Sequence, residues 1–299
     1  MSSDQATDSS PGGGETDQDT ESADGVSTDP VADSETTVVS SDTETEQDVA
    51  TGSEDGTETD STLESRKAVS VIANTEPVFD FDGDGCLPSF GFDENGEQSG
   101  GLAPSGSLTG GCRDENFLLS SHTLHRYACI EVDGTEYCGH FYALYFLKDQ
   151  ITRLGGGHRH DWEYAAVWTR DGQVTHGSAS AHGDLDTRKA SELEFEGSHL
   201  KIVYHKEGLL THALRFAEAD EIAENPYGKF VTPPIVSWYE LNVEGLSREE
   251  MRGRLNSFDY GKASIPNKDS NFLANLNEFK PSDYPEFDSH SVEDANPYP

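Results

Sequence analysis

Residues 155–168 read GGGHRHDWEYAAVW, and the order of residue types in this stretch decides how the chain is expected to fold. Three glycines come first, a polar heptad follows at residues 157–163, and an apolar run extends from Tyr164 to Trp168. The apolar run predicts a buried strand, and the glycines predict a flexible loop that leads into it. Two imidazoles, two carboxylates, a guanidinium and an indole in seven positions indicate a surface binding site, because a packed core does not need them.

The segments around this stretch predict short strands separated by turns. Residues 141–147 are aromatic and apolar on both faces, as a central strand would be. Asp-Gly pairs at residues 133–134 and 171–172 predict hairpin turns. Further strand candidates are residues 69–72 (a strand or a short helix), 163–169, 173–178, 200–205 and 235–241.

Helices are predicted only towards the C-terminus. Residues 247–250 read SREE, which is a capping box, and Asp269 or Ser270 is expected to cap a second helix. Residues 281–299 are polar and contain proline, so this end is expected to fray. Many strands with few, late helices predict a mainly β fold, a β-sandwich or barrel with peripheral helices.

Composition divides the chain at residue 65. Residues 1–65 contain no Lys, Arg, Phe, Tyr or Trp and hold 19 of the 57 acidic residues. Such a segment cannot bury enough apolar surface to offset its ordering entropy, so a disordered acidic tail is predicted there and one folded domain over 66–299.

The folded part is also acidic, since 38 Asp and Glu remain there against all 20 Lys and Arg. A net charge of −37 argues against nucleic-acid binding and against electrostatic attraction to anionic lipid. It fits either colloidal solubility or, as the low count of basic residues favours, a halophilic adaptation to high salt. No apolar run is long enough for a transmembrane helix, and no signal peptide is visible.

Four cysteines, at positions 86, 112, 129 and 138, lie within 53 consecutive residues and form no CxxC pair. An even, clustered set favours two disulfides and an oxidising compartment, with free thiols as the alternative. The predicted hairpin turn at residues 133–134 favours a Cys129–Cys138 bridge, which leaves Cys86–Cys112.

Side-chain alternation along a strand predicts which residues of the heptad act together. In an extended strand Asp161 and Glu163 point to the same face, where two close carboxylates call for a cation or a proton between them. His158 lies just upstream, and Asp149 ends the preceding strand. An oxygen-rich set with one imidazole suits Ca²⁺, Mg²⁺ or Mn²⁺ better than Zn²⁺. A hydrolytic centre and a structural salt-bridge knot are the alternatives, but HExxH and a plausible GxSxG triad are absent.

A second acidic cluster is Asp80, Asp82 and Asp84 in the sequence DFDGDG. This spacing begins an EF-hand calcium loop, but position 12 is Gly91, which has no carboxylate. A complete EF-hand is therefore excluded. A shorter calcium loop and a plain acidic turn are the two remaining interpretations.

Several blocks of the chain, in order, resemble the necrosis-inducing protein family, also called necrosis- and ethylene-inducing peptide-like proteins. GHRHDWE at residues 157–163 resembles the signature heptapeptide of that family. The other blocks are GCLP (85–88), GGLAPSG (100–106), YALYFLKD (142–149), SASAHG (178–183), VYHK (203–206), GKAS (261–264) and KDSNF (268–272). The resemblance covers roughly residues 76–280. The acidic tail is not part of the family's pattern.

This resemblance implies a central β-sandwich with flanking helices, similar to actinoporins and some fungal lectins. It implies a secreted cytolysin, not an enzyme, that recognises the sugar headgroups of membrane sphingolipids and permeabilises the bilayer. We expect a monomer in solution. A non-toxic, lectin-like protein that binds another glycan through the same pocket is the main alternative, and a metal-dependent hydrolase is a weaker one.

The resemblance also assigns roles to residues. The ligands of a divalent cation, Mg²⁺ or Ca²⁺, would be Asp149, His158, Asp161 and Glu163, the same set that strand geometry suggests. Gly157, Arg159 and His160 would complete the motif and shape the rim of the pocket, with Trp162 packing beneath. The loop of Asp80, Asp82 and Asp84, together with the extra cysteines, resembles a subgroup with a second calcium site.

Overall fold

The computed structural model describes residues 75–297. The predicted disordered tail, its boundary with the folded domain and the candidate element at residues 69–72 lie outside the described residues. Two sheets pack face to face as a sandwich, which confirms the predicted fold class. The ten strands are β1 (Val78–Phe81), β2 (Thr123–Val132), β3 (Thr135–Thr152), β4 (Gly155–Arg170), β5 (Gln173–Ala181), β6 (Asp184–Lys189), β7 (Phe195–Glu196), β8 (His199–Lys206), β9 (His212–Phe216) and β10 (Ile235–Ser237).

The larger sheet has six strands in the order β10-β2-β3-β4-β5-β6, and the smaller sheet has the order β1-β8-β7 with β9 also paired to β8. Neighbouring strands are antiparallel except for β10 with β2 and β1 with β8. Strands β3 and β4 form the long central hairpin of the large sheet. The predicted site lies at the turn end of this hairpin, between the pair Leu144–Glu163 and the pair Asp149–His158.

Alternating residues of both sheets fill the space between them. Tyr142, Leu144 and Phe146 point inward from β3, and Ala165 and Val167 do so from β4. They meet aromatic and aliphatic side chains of β1 and β8, and the rings of Phe146 and Tyr204 stack with centroids 3.8 Å apart. Burial of this apolar surface is the main favourable term that holds the two sheets together.

The opposite face of the large sheet is covered by helices α1 (Arg248–Ser257), α2 (Phe272–Phe279) and α3 (Ser289–Asp294). The predicted capping box of α1 is present, with Ser247 and Glu250 satisfying one another's backbone N–H groups. The predicted cap of α2 is wrong, because the helix starts after Asn271. Asp269 instead accepts hydrogen bonds from the buried guanidinium of Arg126 at 2.7 Å and from Asn256 at 2.6 Å.

The prediction that residues 281–299 fray is also wrong over the described part of that segment. Tyr284 and Phe287 are buried and contact the ring of Trp168, at centroid distances of 5.9 and 6.3 Å. The prediction used the average polarity of the segment and therefore overlooked two aromatic side chains that pack against the sheet.

The structure differs from the sequence-based predictions at the central hairpin and at β10, and agrees with them at the Asp-Gly turns. The glycines at 155–157 do not form a loop: they belong to β4, and the turn is at residues 153–154. The strand predicted at residues 235–241 ends at Ser237. The Asp-Gly turns are present, with positive φ at Asp133 and Asp171 and at the glycine after each.

Both predicted disulfides are present, Cys86–Cys112 and Cys129–Cys138. The second joins residues that face one another directly in the β2–β3 ladder. Across residues 75–297, none of the helices is long and apolar enough to span a bilayer.

Candidate cation-binding site

Three of the four predicted ligands meet at one point. One donor atom each from Asp149, His158 and Asp161 lie within 4.8 Å of one another. The β3–β4 register places Asp149 opposite His158, with Oδ2 of the former 3.8 Å from Nε2 of the latter. Glu163 lies two residues further along β4, on the same inward face as Asp161, and is not part of this triplet.

Backbone conformation brings His158 and Asp161 to the same side of the strand. Residues three apart in a regular strand face opposite sides of the sheet. Between these two residues His160 has a φ of +64°, a left-handed conformation that interrupts the alternation. The three preceding glycines also have positive φ, so the irregular backbone extends from Gly155 to His160.

The other motif residues have structural positions. His160 lies on the face of the sheet opposite Asp161, where its Nδ1 lies 2.6 Å from the hydroxyl of Tyr145. Arg159 donates to the carbonyls of Gly100 and Gly101 at 2.8 and 3.0 Å. Neither residue is among those that line the cleft, and their place at its rim stays a prediction. Trp162 does line it and packs on Tyr145.

Gly157 supports the site through close packing. Its φ is +96°, and a Cβ there would lie 2.2 Å from the carbonyl oxygen of Asp149. A glycine is required because any side chain would push β3 and β4 apart at the ligand pair.

Neighbouring strands hold each ligand in place. Asp149 accepts hydrogen bonds from the backbone N–H and Nδ1 of His212, at 2.8–3.1 Å. Tyr204 donates its hydroxyl to Asp161 at 3.0 Å, and Ser180 donates to Glu163. Sequence reasoning missed these three supporting residues, although two of the blocks matched to the family contain Ser180 and Tyr204.

His158 is held in the tautomer that a metal ligand needs. Its Nδ1 lies 2.6 Å from the carbonyl oxygen of His160, which can only accept, so Nδ1 carries the proton. In the neutral ring, the lone pair of Nε2 then lies on the side of Asp149 and Asp161. Orientation of a ligating imidazole by a backbone carbonyl is typical of metal sites.

The electrostatics of the site favour a positive charge. Burial, together with the charges of Glu163 and Asp149, raises the pKa of Asp161 well above its ordinary value. Burial and the charge of Asp149 likewise raise the pKa of Glu163 to about 8, against a smaller lowering by Ser180. A divalent cation would relieve this repulsion, and an oxygen-rich set with one imidazole fits Mg²⁺, Ca²⁺ or Mn²⁺.

The ligands form one wall of an open cleft of about 450 Å³. Its opposite wall comes from residues 262–279, including the ammonium-bearing Lys262, the hydroxyl of Ser264 and the side-chain amides of Asn271 and Asn275. The full lining is Asp149, His158, Asp161, Trp162, Glu163, Tyr164, Ser180, His182, Gly183, Thr211, Lys262, Ala263, Ser264, Pro266, Asn271, Asn275, Glu278 and Phe279. A cleft with carboxylates on one side and amides and hydroxyls on the other can bind a polyhydroxylated ligand.

The second predicted site is not assembled in the same way. The carboxylate of Asp80 is fully buried and accepts hydrogen bonds from the backbone N–H groups of Glu224 and Asn225 and from the side-chain amide of Asn225. The only other potential ligand group found within residues 75–297 is Cys129, Glu136 and Cys138, whose two sulfurs are bonded to each other. The structure therefore does not bring Asp80, Asp82 and Asp84 together as a ligand set.

Sequence and structure comparisons give a consistent result. Residues 70–279 match the family model described as "Necrosis inducing protein (NPP1)". The necrosis-inducing protein NPP1 of Phytophthora nicotianae is 31% identical over 203 residues, which cover 64% of this chain and 75% of that protein. The NLP effector protein 1 of Phytophthora capsici is 32% identical over 197 residues, with the same coverage.

Solved structures show the same architecture. A structure described as "Toxin fold as basis for microbial attack and plant defense" superposes with a TM-score of 0.56 at 28% identity, covering 71% of this chain and 90% of that one. The structure "NLPPya in complex with mannosamine" gives the same TM-score and coverage at 27% identity. The segment after residue 279, which packs on Trp168, lies beyond the family match.

Proposed function

The chain belongs to the necrosis-inducing protein family, and on that premise we propose that it is a secreted, cation-dependent cytolysin. In this proposal it binds the sugar headgroups of membrane sphingolipids and permeabilises the membrane that carries them. One observation carries the proposal: the donor atoms of Asp149, His158 and Asp161 lie within 4.8 Å of one another on the wall of an open cleft.

Asp149, His158 and Asp161 would hold the cation, with Glu163 next to it. Mg²⁺ or Ca²⁺ held there would supply a Lewis acid for hydroxyl groups of a sugar. The chain's own part is to keep the carboxylates fixed, through His212, Tyr204 and Ser180, and to present amides and hydroxyls on the opposite wall.

The size and lining of the cleft support a sugar as the ligand. A volume of about 450 Å³ lies within the range of small-molecule sites, roughly 300–1,000 Å³. The side-chain amide of Asn275, which donates to the carbonyl of Pro266, carries a second N–H donor and an acceptor oxygen, as sugar hydroxyls require. Related structures are described as complexes with mannosamine and with glucosamine, which supports the same ligand class for this cleft.

Dye release from vesicles tests the proposal directly. Vesicles with and without glycosylinositol phosphorylceramide are mixed with the protein in Mg²⁺ or Ca²⁺, and again in EDTA. We expect release from the glycolipid vesicles with the cation, and none in EDTA or with Asp161→Asn. Glu131→Gln, which changes an exposed acid far along β2, is the matched control and should behave as the unchanged protein. Release that persists in EDTA contradicts the cation requirement.

The alternative is a lectin-like protein that binds a glycan without lysis. The amino-sugar complexes of related structures support glycan binding, which this alternative shares with the cytolysin. Cation-dependent binding to the glycolipid vesicles with no dye release would identify this alternative. We also propose that the cleft is not catalytic; release of free sugar from the glycolipid during the assay would contradict that.

Two further parts of the proposal concern the state of the protein. Two disulfides support export to an oxidising compartment. We propose a monomer, and sedimentation of the protein at the concentrations of the vesicle assay tests it. A dimer in that measurement would contradict the proposal.

A further inference from the structure

The loop from Asp80 to Gly85 has the spacing of a calcium loop and a different set of contacts. Calcium loops gather side-chain carboxylates and backbone carbonyls around one ion. Here the first carboxylate points away from the loop: Asp80 accepts four N–H···O contacts from Glu224 and Asn225, at 2.7–3.1 Å. Asp80 therefore anchors a distant turn and has little capacity left for an ion.

The guanidinium of Arg113 donates hydrogen bonds to two backbone carbonyl oxygens of this loop. Nη1 of Arg113 donates to the carbonyl of Asp82 at 2.7 Å and to the carbonyl of Gly85 at 2.8 Å. Burial lowers the pKa of Arg113, while the neighbouring carboxylates of Asp80, Glu224, Asp84 and Asp82 all favour its charged form. An arginine stays charged in a protein under these conditions, so the loop contains a permanent positive charge.

The covalent structure fixes this guanidinium in place. Arg113 directly follows Cys112, and Gly85 directly precedes Cys86, so the Cys86–Cys112 disulfide ties the donor and the acceptors together. The backbone adds a further bond, from the N–H of Leu87 to the carbonyl of Cys112 at 2.8 Å.

We propose that the guanidinium of Arg113 replaces the metal ion of the DFDGDG loop, so that residues 80–85 form a closed brace and not a second cation site. An arginine carries its charge on the chain and cannot dissociate. The loop then keeps its shape whether or not divalent cations are present.

The brace lies against the supporting residue of the main site. Gly85 packs against the ring of His212, where a Cβ would lie 2.8 Å from it, and Oδ1 of Asp84 is 3.7 Å from Nε2 of the same ring. That ring in turn bonds Asp149 through Nδ1. Closure of the loop by Arg113 thus keeps His212 pressed towards a ligand of the main site.

Calcium binding in a background without the main site tests the proposal. The variant Asp161→Asn/Glu163→Gln removes two carboxylates there, and calorimetry then measures Ca²⁺ binding with the loop intact. We expect no binding. Binding that disappears on adding Asp82→Asn/Asp84→Asn would show that the loop is a cation site and would overturn the proposal.

A second arm tests the brace itself in the same background. Arg113→Met should lower Tm by more than about 4 °C, because two charge-assisted hydrogen bonds are lost. Arg113→Lys should lose less. Arg153→Met, at an exposed hairpin tip, is the control. A Tm for Arg113→Met equal to that of the control would contradict the brace. These measurements do not depend on membrane activity, so failure of the proposed function leaves their outcome unaffected.

Discussion

Two backbone positions in β4 fix the geometry of the cation ligands. His160 adopts a φ of +64°, at a cost of roughly 1–2 kcal/mol for a residue with a Cβ. Its contact with the hydroxyl of Tyr145 and its burial keep it there. Gly157 allows the backbones of β3 and β4 to approach closely beside Asp149. Strain at His160 persists because the surrounding packing over-determines it.

Gly157→Ala should disable the site. The new Cβ would lie 2.2 Å from the carbonyl of Asp149, so β3 must move away from β4 at the ligand pair. We expect a loss of stability of about 2–4 kcal/mol and a cation affinity lower by more than about 10-fold. Denaturant unfolding and calorimetry with Mg²⁺ or Ca²⁺ measure the two effects.

Gly183→Ala is the matched control for that substitution. Gly183 has the same φ of +96°, but nothing lies within 4 Å of a Cβ built there. It should lose only the cost of the left-handed conformation, about 1–2 kcal/mol, and keep its cation affinity. Equal effects of the two substitutions would contradict the close-packing argument.

Removal of one carboxylate at a time should rank the ligands. Asp161→Asn removes a member of the close triplet, so its cation affinity should fall by well over 100-fold, more than is usual for outer-shell partners. Glu163→Gln lies outside the triplet and should cost less, about 10-fold. His212→Ala, which removes support from Asp149, should lie between them. Unchanged calorimetric affinity in both carboxylate variants would contradict the metal assignment.

The sequence predicted the position of a site residue correctly where a suitable side chain also lay on the expected face of a strand. Asp161 and Glu163 share a face because they are two apart in a strand. His212 could not be found this way: it is an isolated histidine after a turn, and only the packing of β9 against β3 places it on Asp149. The left-handed conformation of His160 was likewise hidden, because nothing in the sequence marks it.

Among helices and turns, the sequence predicted correctly those features whose interacting residues are close together in the chain. The capping box of α1 and the Asp-Gly turns involve residues within four positions of one another, so the sequence contains the whole interaction. The start of α2 was misplaced because Asp269 bonds Arg126 and Asn256, which are distant in the chain. The segment after residue 280 was misjudged because burial against Trp168 outweighs its polar composition.

The two disulfides should contribute unequally to stability. They close loops with sequence separations of 26 and 9 residues, and loop entropy predicts roughly 3.5 kcal/mol for Cys86–Cys112 and roughly 2.6 kcal/mol for Cys129–Cys138. Replacing each pair with alanines and unfolding the proteins in urea measures the difference. The first pair also ties the Arg113 loop, so its removal should cost more than the loop length predicts. A larger loss for the second pair would contradict this ranking.

For the whole molecule, the dominant feature is a net charge of −37, of which residues 66–299 carry −18. Like charges on a folded surface repel, and the Debye length falls from about 10 Å at 0.1 M salt to about 3 Å at 1 M. Composition alone therefore predicts salt-dependent stability, although it does not identify the environment in which the protein acts.

Raising KCl from 0.1 to 1 M should increase Tm by about 5 °C or more. EDTA in both solutions excludes a contribution from divalent cations at the main site. Sucrose at equal osmolality separates screening from a general preferential-exclusion effect, since it does not screen charge. A Tm that stays constant or falls with KCl would contradict the halophilic interpretation.

Protons and divalent cations should compete for the buried carboxylates, and this competition should be visible in the stability of the whole protein. Burial and neighbouring carboxylates raise the pKa of Asp161 and Glu163 in the folded state, the latter to about 8, from ordinary values near 4. Between those values the folded state holds more protons than the unfolded state. Without cations, the stability that these two groups contribute should therefore be greatest at low pH and fall as pH rises from about 5 to 8. Burial lowers the pKa of His122, His125 and His140, which contribute in the opposite sense below pH 6.5.

A divalent cation needs the ionised carboxylates, so the stability that it adds should grow over the same pH range. The measurement is Tm in EDTA and in millimolar Mg²⁺ or Ca²⁺, between pH 5 and 8. We expect the two curves to diverge as pH rises. Surface repulsion also weakens the fold at higher pH, but it is nearly unchanged in Asp161→Asn/Glu163→Gln. The divergence must therefore disappear in that variant if the buried carboxylates cause it, and its persistence would locate the cation effect on the acidic surface instead.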